Sequence, residues 1–158
     1  MKYIIILLFI IGCGRAESEN GYKIYLNLSG MQRTQTTNSL ALLQILSKNP
    51  KIQFGDEKNH DILVEYTSNA EAEKVVSGYI LGLAWTSEIP CRIQITERTY
   101  FYGQDWIDSV LWHEIGHCFE LPHINNSEDI MYKYAKPLSR YSEASLQEFF
   151  RRLHEKTR

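Results

Sequence analysis

The most constraining feature of the sequence is the stretch over residues 113–123, which reads HEIGHCFELPH. His113 and His117 are four residues apart, so on an α-helix both imidazoles lie on one face, one turn from each other. Two side chains placed in this way can bind one metal ion. Glu114 lies beside them, close enough to act on a water molecule held at that ion. The stretch therefore predicts a helix that carries two metal ligands and a reactive carboxylate.

A tetrahedral catalytic zinc takes three protein ligands and leaves one position open, so a third donor is needed. Pro122 disfavours a helical conformation at Leu121 and therefore helps to end the helix. The chain can then turn and bring His123 to the same ion. Three of the five histidines of the chain fall inside this one stretch. Two incidental surface histidines on an amphipathic helix are therefore a poor explanation of the pattern.

The stretch resembles the active site of the metzincin zinc peptidases, whose pattern is H-E-x-x-H-x-x-G-x-x-H followed by a methionine turn. Met131 lies eight residues after His123 and is followed by Tyr132. This spacing is most similar to the matrixin branch, the matrix metalloproteinases and their bacterial relatives. The resemblance implies that Met131 forms a hydrophobic floor beneath three imidazoles that hold one Zn²⁺. It also implies that Glu114 is the general base in peptide-bond hydrolysis.

One position departs from the metzincin pattern, because Glu120 stands where the family has glycine. Glycine permits a left-handed backbone at the end of a helix, and another residue there costs roughly 1 kcal/mol. Either the turn is strained or altered, or Glu120 has a role of its own, such as a hydrogen bond to a ligand imidazole. A further alternative takes Glu120 or Glu128 as the third ligand, but the spacing from His123 to Met131 would then be a coincidence.

The Gly-Leu-Ala-Trp stretch at residues 82–85 is similar to the matrixin edge strand that runs along the active-site cleft. The unpaired backbone amides of such a strand suit the addition of an extended peptide substrate. A core strand with glycines at a bulge is the alternative. The cleft is expected to be lined by Gly82, Leu83, Ala84, Tyr132 and Tyr134.

The N-terminus predicts an export signal. Residues 4–11 form an unbroken apolar run that follows a short basic start and is too short to span a bilayer. The run ends in Ile-Ile-Gly-Cys, which resembles a bacterial lipoprotein signal, in which the chain is cleaved before Cys13 and the thiol is acylated. An ordinary secretory signal is the alternative, but the small Gly12 favours the lipoprotein. We predict a signal peptide over 1–12, an acylated Cys13 with a tether over 13–21, and a peptidase domain over 22–158.

A lipid on Cys13 would anchor the protein to a membrane at the bacterial cell envelope, on the periplasmic or extracellular side. Cys91 and Cys118 then lie in an oxidising setting where a disulfide can form. Two buried free thiols that behave as small apolar side chains are an equal alternative.

The remaining patterns predict one α+β domain. Alternating or continuous apolar runs predict strands over 22–28, 51–54, 61–66, 78–85 and 92–96. Helices are predicted over 39–48, after an N-cap at Asp105, and after an N-cap at Ser142. Residues 69–74 fit either a helical turn or a loop. The metzincin resemblance implies that these elements form a mixed, twisted sheet of about five strands, with an active-site helix and a C-terminal helix.

The chain has 158 residues and a net charge of −2, and it contains no basic patch, so a nucleic-acid partner is not expected. We predict a monomeric, zinc-dependent metalloendopeptidase that acts on proteins or peptides. The alternative is a catalytically inactive metzincin-like lipoprotein that uses the metal site structurally or to bind a protein. Glu114 argues against this alternative, since a structural site does not need that carboxylate.

Overall fold

The computed structural model describes residues 21–47, 52–137 and 140–156. The secondary-structure elements in these ranges follow in the order β1 (Tyr22–Asn27), α1 (Gly30–Ser47), β2 (Ile52–Phe54), β3 (Ile62–Thr67), α2 (Asn69–Val75), β4 (Gly82–Trp85), β5 (Cys91–Thr96), α3 (Glu97–Tyr102), α4 (Gln104–Cys118) and α5 (Glu143–Lys156).

The five strands form one mixed sheet in the order β2-β1-β3-β5-β4. β2, β1, β3 and β5 run parallel to one another, and β4 pairs antiparallel with β5 at one edge. The prediction of a single α+β domain with a mixed, five-stranded sheet is therefore confirmed. The antiparallel edge strand is the same Gly-Leu-Ala-Trp stretch that the sequence assigned to the cleft.

The core lies where α1 and α4 pack against one face of the sheet. Alternate residues of three strands are buried on this face, as expected for a strand with one side in the core: Ile24, Leu26, Ile62, Val64, Ile93 and Ile95. Trp112 of α4 is buried among them, and its indole Nε1 donates a hydrogen bond to the carbonyl of Ser39 on α1 at 3.2 Å. Helix α4, which carries the candidate ligands, is thus fixed between the sheet and a second helix.

The first strand also contacts the end of the active-site helix. The ring of Tyr22, the first residue of β1, packs against that of Phe119, with 4.6 Å between the centroids. Phe119 directly follows the last residue of α4 and is itself fully buried. The chain therefore enters the domain beside the C-terminal end of α4.

The predicted start of the first helix was wrong. Helix α1 begins at Gly30 rather than at residue 39, although the intervening residues are mostly polar. Contacts outside the helix stabilise these first turns: Arg33 Nη1 donates to the carbonyl of Leu26 at 2.7 Å, and Gln104 Nε2 donates to that of Gln35 at 3.0 Å. Tertiary contacts of this kind routinely override weak helix propensity.

Two further boundaries differ from the prediction. β4 begins at Gly82 rather than at residue 78, because Gly78 adopts a φ of 126° and the carbonyl of Leu81 accepts a hydrogen bond from the hydroxyl of Thr99 at 2.6 Å. Asp105 is not the N-cap of α4: the helix begins at Gln104, after Gly103. Residues 69–75, for which the sequence allowed helix or loop, form a helix.

None of the helices in the described ranges is long and apolar enough to cross a membrane. The predicted signal peptide over 1–12 and most of the tether over 13–21 lie outside the described residues.

Candidate metal centre and cleft

The three predicted ligands converge on one point. His113 and His117 project from successive turns of α4, and His123 returns after the helix ends. The Nε2 atom of His113 lies 3.0 Å from that of His117 and 3.2 Å from that of His123, and the last two are 3.1 Å apart. The structure therefore brings together residues that are up to ten positions apart in the sequence.

Hydrogen bonds to backbone carbonyls fix the ring nitrogens that face this point. His113 Nδ1 lies 2.6 Å from the carbonyl oxygen of Ile130, and His117 Nδ1 lies 2.9 Å from that of Leu121. A carbonyl only accepts, so both Nδ1 atoms carry the proton and donate it, and both Nε2 atoms present lone pairs. This arrangement orients metal-binding imidazoles in proteins.

The spacing of the three Nε2 atoms fits a tetrahedral metal ion. Zinc–nitrogen bonds of 2.0–2.1 Å give a tetrahedral edge of about 3.3–3.4 Å, close to the observed distances of 3.0–3.2 Å. Lone pairs that face one another at this range repel unless a cation lies between them. Across the described residues, this is the one cluster of three or more metal-ligating side chains. The group can hold a metal ion.

The turn from α4 to His123 is made in the left-handed conformation. Glu120 has a φ of 64°, and it is the one non-glycine residue with positive φ among the described residues. The amide of Glu120 donates to the carbonyl of His117 at 2.7 Å, and the amide of Leu121 donates to that of Gly116 at 3.0 Å. These two bonds form a Schellman motif, in which glycine usually occupies the position of Glu120. The turn is left-handed, as in a Schellman motif that ends in glycine, and the side chain of Glu120 makes this conformation strained.

The carboxylate of Glu120 pairs with the C-terminal helix. Its Oε2 atom accepts a hydrogen bond from Arg152 Nη1 on α5 at 2.9 Å, and Arg152 Nε also binds Glu148 at 2.7 Å. The other glutamate considered as a ligand, Glu128, lies 3.8 Å from the ammonium group of Lys136. The structure brings His123, rather than either glutamate, to the other two imidazoles.

Met131 lies against α4 at the level of the ligands. A Cβ atom at Gly116 would overlap with the sulfur of Met131 and lie 3.2 Å from its methyl carbon, so glycine is required for this contact. The same hypothetical Cβ would lie 3.3 Å from the hydroxyl of Tyr141, which donates a hydrogen bond to the carbonyl of Trp112 at 2.5 Å. Met131 therefore packs where α4 carries no side chain, one residue before His117.

The turn that carries Met131 is held by a buried carboxylate. Asp129 accepts hydrogen bonds from the amides of Met131 and Ser142, each at 2.7 Å. Burial raises the pKa of Asp129, but the hydrogen bonds from Ser142 and Met131 outweigh it and hold the pKa below its usual range. Asp129 therefore joins the Met131 turn to the start of α5. Ile130 lies between Asp129 and Met131, and its carbonyl orients His113.

Glu114 is buried at the floor of the cleft, and burial raises its pKa to about 8. A Cβ atom at Gly82 would lie only 2.9 Å from Glu114 Oε1 and 2.6 Å from Val110 Cγ1. The absence of a side chain at Gly82 thus lets β4 pass directly beside the carboxylate. A divalent cation at the three imidazoles would favour the charged carboxylate and lower its pKa.

The imidazoles on α4 are held in their neutral, metal-binding form. Burial lowers the pKa of His113 to about 4, against the opposing effect of its bond to Ile130. Burial also lowers the pKa of His117. Both side chains are therefore deprotonated at Nε2 near neutral pH, as a metal ligand must be.

The ligands and Glu114 open into one cleft with a volume of about 740 Å³, in the range of ligand-binding pockets. Of the predicted lining residues, the structure places Gly82, Leu83, Ala84 and Tyr134 along this cleft. Tyr132 packs its ring against that of Tyr134, with the centroids 5.6 Å apart, and so supports a lining residue. Further walls come from Val76, Tyr79, Trp106, Val110 and Lys133.

Cys91 and Cys118 form a disulfide, which resolves the two alternatives left by the sequence. Their Cα atoms are 5.8 Å apart, within the usual range for such a bond. The disulfide ties the start of β5 to the last residue of α4, one position after His117.

Sequence reasoning missed Asp129, Tyr141 and Arg152, which hold the ligand-bearing segments in place. A signal existed for Asp129: an aspartate two residues before a turn amide is typical of a side-chain-to-backbone turn. The partners of Tyr141 and Arg152 lie 29 and 32 residues away, so no local pattern indicates them.

Comparison with known proteins supports the fold. No protein-family model and no curated protein matches the sequence. The structure is similar to the crystal structure of archaemetzincin from Methanopyrus kandleri, with a TM-score of 0.65 over 88% of this chain and 99% of that chain, at 12% sequence identity. The predicted metzincin-like fold, with α4 as the site-bearing helix and α5 as the C-terminal helix, is confirmed. At this identity the likeness establishes the fold, and the activity is argued from the site.

Proposed function

We propose that this protein is a zinc-dependent metalloendopeptidase. The observation that carries the proposal is the convergence of three imidazole Nε2 atoms at 3.0–3.2 Å, in one cleft with the Glu114 carboxylate. A purely structural site has four protein ligands and needs no adjacent carboxylate. Three protein ligands, an open cleft and a buried acid–base group are the features of a catalytic site.

His113, His117 and His123 would hold Zn²⁺, with the first two fixed in the correct tautomer by the carbonyls of Ile130 and Leu121. A zinc ion held there supplies Lewis acidity, which activates a water molecule and polarises a carbonyl group.

Glu114 carries the proton transfer. One of its carboxylate oxygens takes a proton from the attacking water and later returns it to the amine that leaves, so the residue ends the cycle as it began. Its burial keeps bulk water away from this proton. The close passage of Gly82 allows the substrate backbone, added along β4, to reach the carboxylate.

We also propose that the enzyme is a lipoprotein of the bacterial cell envelope, anchored through Cys13. The Ile-Ile-Gly-Cys junction and the short polar tether support this localisation. The interval of eight residues between His123 and Met131 supports a place in the matrixin branch. A monomer that acts on protein or peptide substrates, without nucleic acid, completes the proposal.

The rival function is an inactive metal-binding lipoprotein in which Glu120 marks the loss of activity. Two observations oppose it. The turn at Glu120 keeps its left-handed geometry, and Glu114 is still buried in the cleft beside β4.

The test compares the wild type with Glu114→Gln on casein and on a peptide library, with and without a chelator. Glu114→Gln should keep one equivalent of zinc, because it leaves the three ligands in place, and lose a factor of about 10²–10⁴ in turnover. Chelation should abolish wild-type turnover, and added zinc should restore it.

A matched control is Glu57→Gln, which changes an exposed glutamate in the turn after β2 and should leave turnover unchanged. Equal turnover by the wild type and Glu114→Gln would reject the assigned mechanism. A zinc-loaded wild type that cleaves no substrate would favour the inactive lipoprotein.

A further inference from the structure

Four aromatic residues form a continuous surface that leads out of the cleft, and we refer to them as the aromatic band. Trp106 and Tyr79 line the cleft itself. Tyr102 connects them: its ring lies 5.4 Å from that of Trp106, and its hydroxyl is hydrogen-bonded to that of Tyr79. Phe101 extends the band outward, with its ring 6.0 Å from that of Tyr102.

Three of the four side chains of the band are exposed to solvent. Phe101 is 85% exposed, Tyr79 is 64% exposed and Tyr102 is 41% exposed. Val76, also in the cleft wall, is 46% exposed. A contiguous apolar surface of this kind, joined to a cleft, indicates a binding surface, whereas single exposed apolar residues need no explanation.

The Tyr79 ring of the band is also held in position before any partner arrives. The guanidinium carbon of Arg98 lies 4.0 Å from the centre of the Tyr79 ring, and Arg98 Nη2 pairs with Glu73 at 3.2 Å. Aromatic rings fixed in this way lose little conformational entropy on binding, so they contribute efficiently to affinity.

The distance from the metal centre indicates which part of a substrate would reach the band. Trp106 precedes His113 by seven residues on the same helix, which corresponds to about 10 Å at a rise of ~1.5 Å per residue. An extended peptide advances about 3.4 Å per residue. Trp106 would therefore meet a side chain about three residues from the scissile bond, and Phe101 one about three residues further.

We propose that the aromatic band is an exosite that binds aromatic or large aliphatic side chains of an extended polypeptide substrate, about three to six residues from the scissile bond. The proposal rests on the proposed peptidase function, because it uses the cleft and the bond position that this function defines. The band is continuous with the cleft through Tyr79 and Trp106. Long, unfolded segments are therefore better substrates than short peptides.

The test measures peptide binding by the zinc-loaded Glu114→Gln chain. The probes are two fluorescent twelve-residue peptides, which differ by tryptophan or serine about six residues from the bond that the wild type cleaves, and a six-residue peptide that covers only that bond. A second chain adds Phe101→Ser, which removes the outermost ring of the band. This change should weaken binding of the tryptophan peptide about tenfold. The affinities for the serine peptide and for the six-residue peptide should change little. When Phe101→Ser is introduced into the wild-type chain, which keeps Glu114, the weaker binding should appear as a higher KM for the tryptophan peptide.

Phe54→Ser is the matched control, since Phe54 is a half-exposed phenylalanine on β2, at the opposite edge of the sheet. It should leave all three affinities unchanged. If Phe101→Ser binds the tryptophan peptide as tightly as Phe54→Ser does, the exosite is rejected. Loss of self-association or of binding to lipid vesicles in Phe101→Ser, with unchanged peptide affinity, would reject it in favour of those partners. If the wild type cleaves nothing, the peptidase function fails. A Phe101-dependent preference for tryptophan across a set of twelve-residue peptides would then still identify the band as a peptide-binding surface.

Discussion

At the scale of single residues, Glu120 adopts the left-handed conformation that glycine usually takes at the end of a helix. The left-handed φ of 64° is kept at a residue that carries a side chain, and that side chain pairs with Arg152 on α5. The ion pair is partly exposed, so it offsets at most about 1 kcal/mol, which is similar to the cost of the backbone conformation. The ion pair therefore offsets the cost of the backbone conformation in part or in full.

We predict that Glu120→Gly raises the free energy of unfolding by up to about 1 kcal/mol, because the strain at positive φ that it removes outweighs the partly exposed ion pair that it loses. Zinc affinity should stay near that of the wild type. Urea denaturation and zinc titration measure the two quantities.

Arg152→Ala serves as the partner variant in a double-mutant cycle. It should destabilise the wild type more than it destabilises Glu120→Gly, because the carboxylate is absent from the second background. A Glu120→Gly protein that unfolds more easily and binds zinc at least ten times more weakly would instead show that Glu120 supports a ligand.

At the scale of secondary-structure elements, the position of the site depends on the contacts that fix the C-terminal end of α4. The disulfide joins Cys118 to the start of β5, the Schellman turn caps the helix, and the hydroxyl of Tyr141 binds the carbonyl of Trp112. These contacts surround the turn that carries His117. Each comes from a different part of the chain, so the end of the helix is fixed from several directions.

We predict that replacing both cysteines by alanine lowers the free energy of unfolding by roughly 3–4 kcal/mol, as the chain-entropy relation gives for the closed loop. The two residues are 27 positions apart. Chemical denaturation of the metal-free proteins measures the difference without a contribution from zinc binding.

A reducing agent should destabilise the wild type by a similar amount and leave the double variant unchanged. Equal stability of the oxidised wild type and the double variant would contradict a stabilising role for this bond.

Local patterns predicted the relative positions of the candidate metal ligands better than they predicted the bounds of the surrounding helices and strands. The interval between His113 and His117 fixes their relative position as soon as a helix forms, and Pro122 indicates where it ends. The start of α1 at Gly30 could not be read in this way, because its first turns are stabilised by contacts with β1 and α4. Asp129 likewise joins segments 13 residues apart, and only the fold brings them together.

At the scale of the whole molecule, we expect the role of Cys13 to be separable from that of the folded domain. We predict that Cys13→Ser abolishes membrane anchoring and leaves the turnover of the folded domain unchanged, since Cys13 precedes the first strand by nine residues. Metabolic labelling with a fatty acid, followed by membrane fractionation, tests the first part.

Assay of the two proteins in detergent tests the second part. A wild type that takes up no label and remains in the soluble fraction would contradict the lipoprotein prediction.

The packing of Tyr22 against Phe119 has a consequence for where such an enzyme can work. The chain enters the domain beside the metal centre, and nine residues reach at most about 30 Å when fully extended. A lipid on Cys13 would therefore confine the cleft to a thin layer above the headgroups. Within that layer, polypeptides that lie on or emerge from the same membrane are present at a high effective concentration. Proximity to the bilayer, as much as amino-acid preference, would then select the substrate.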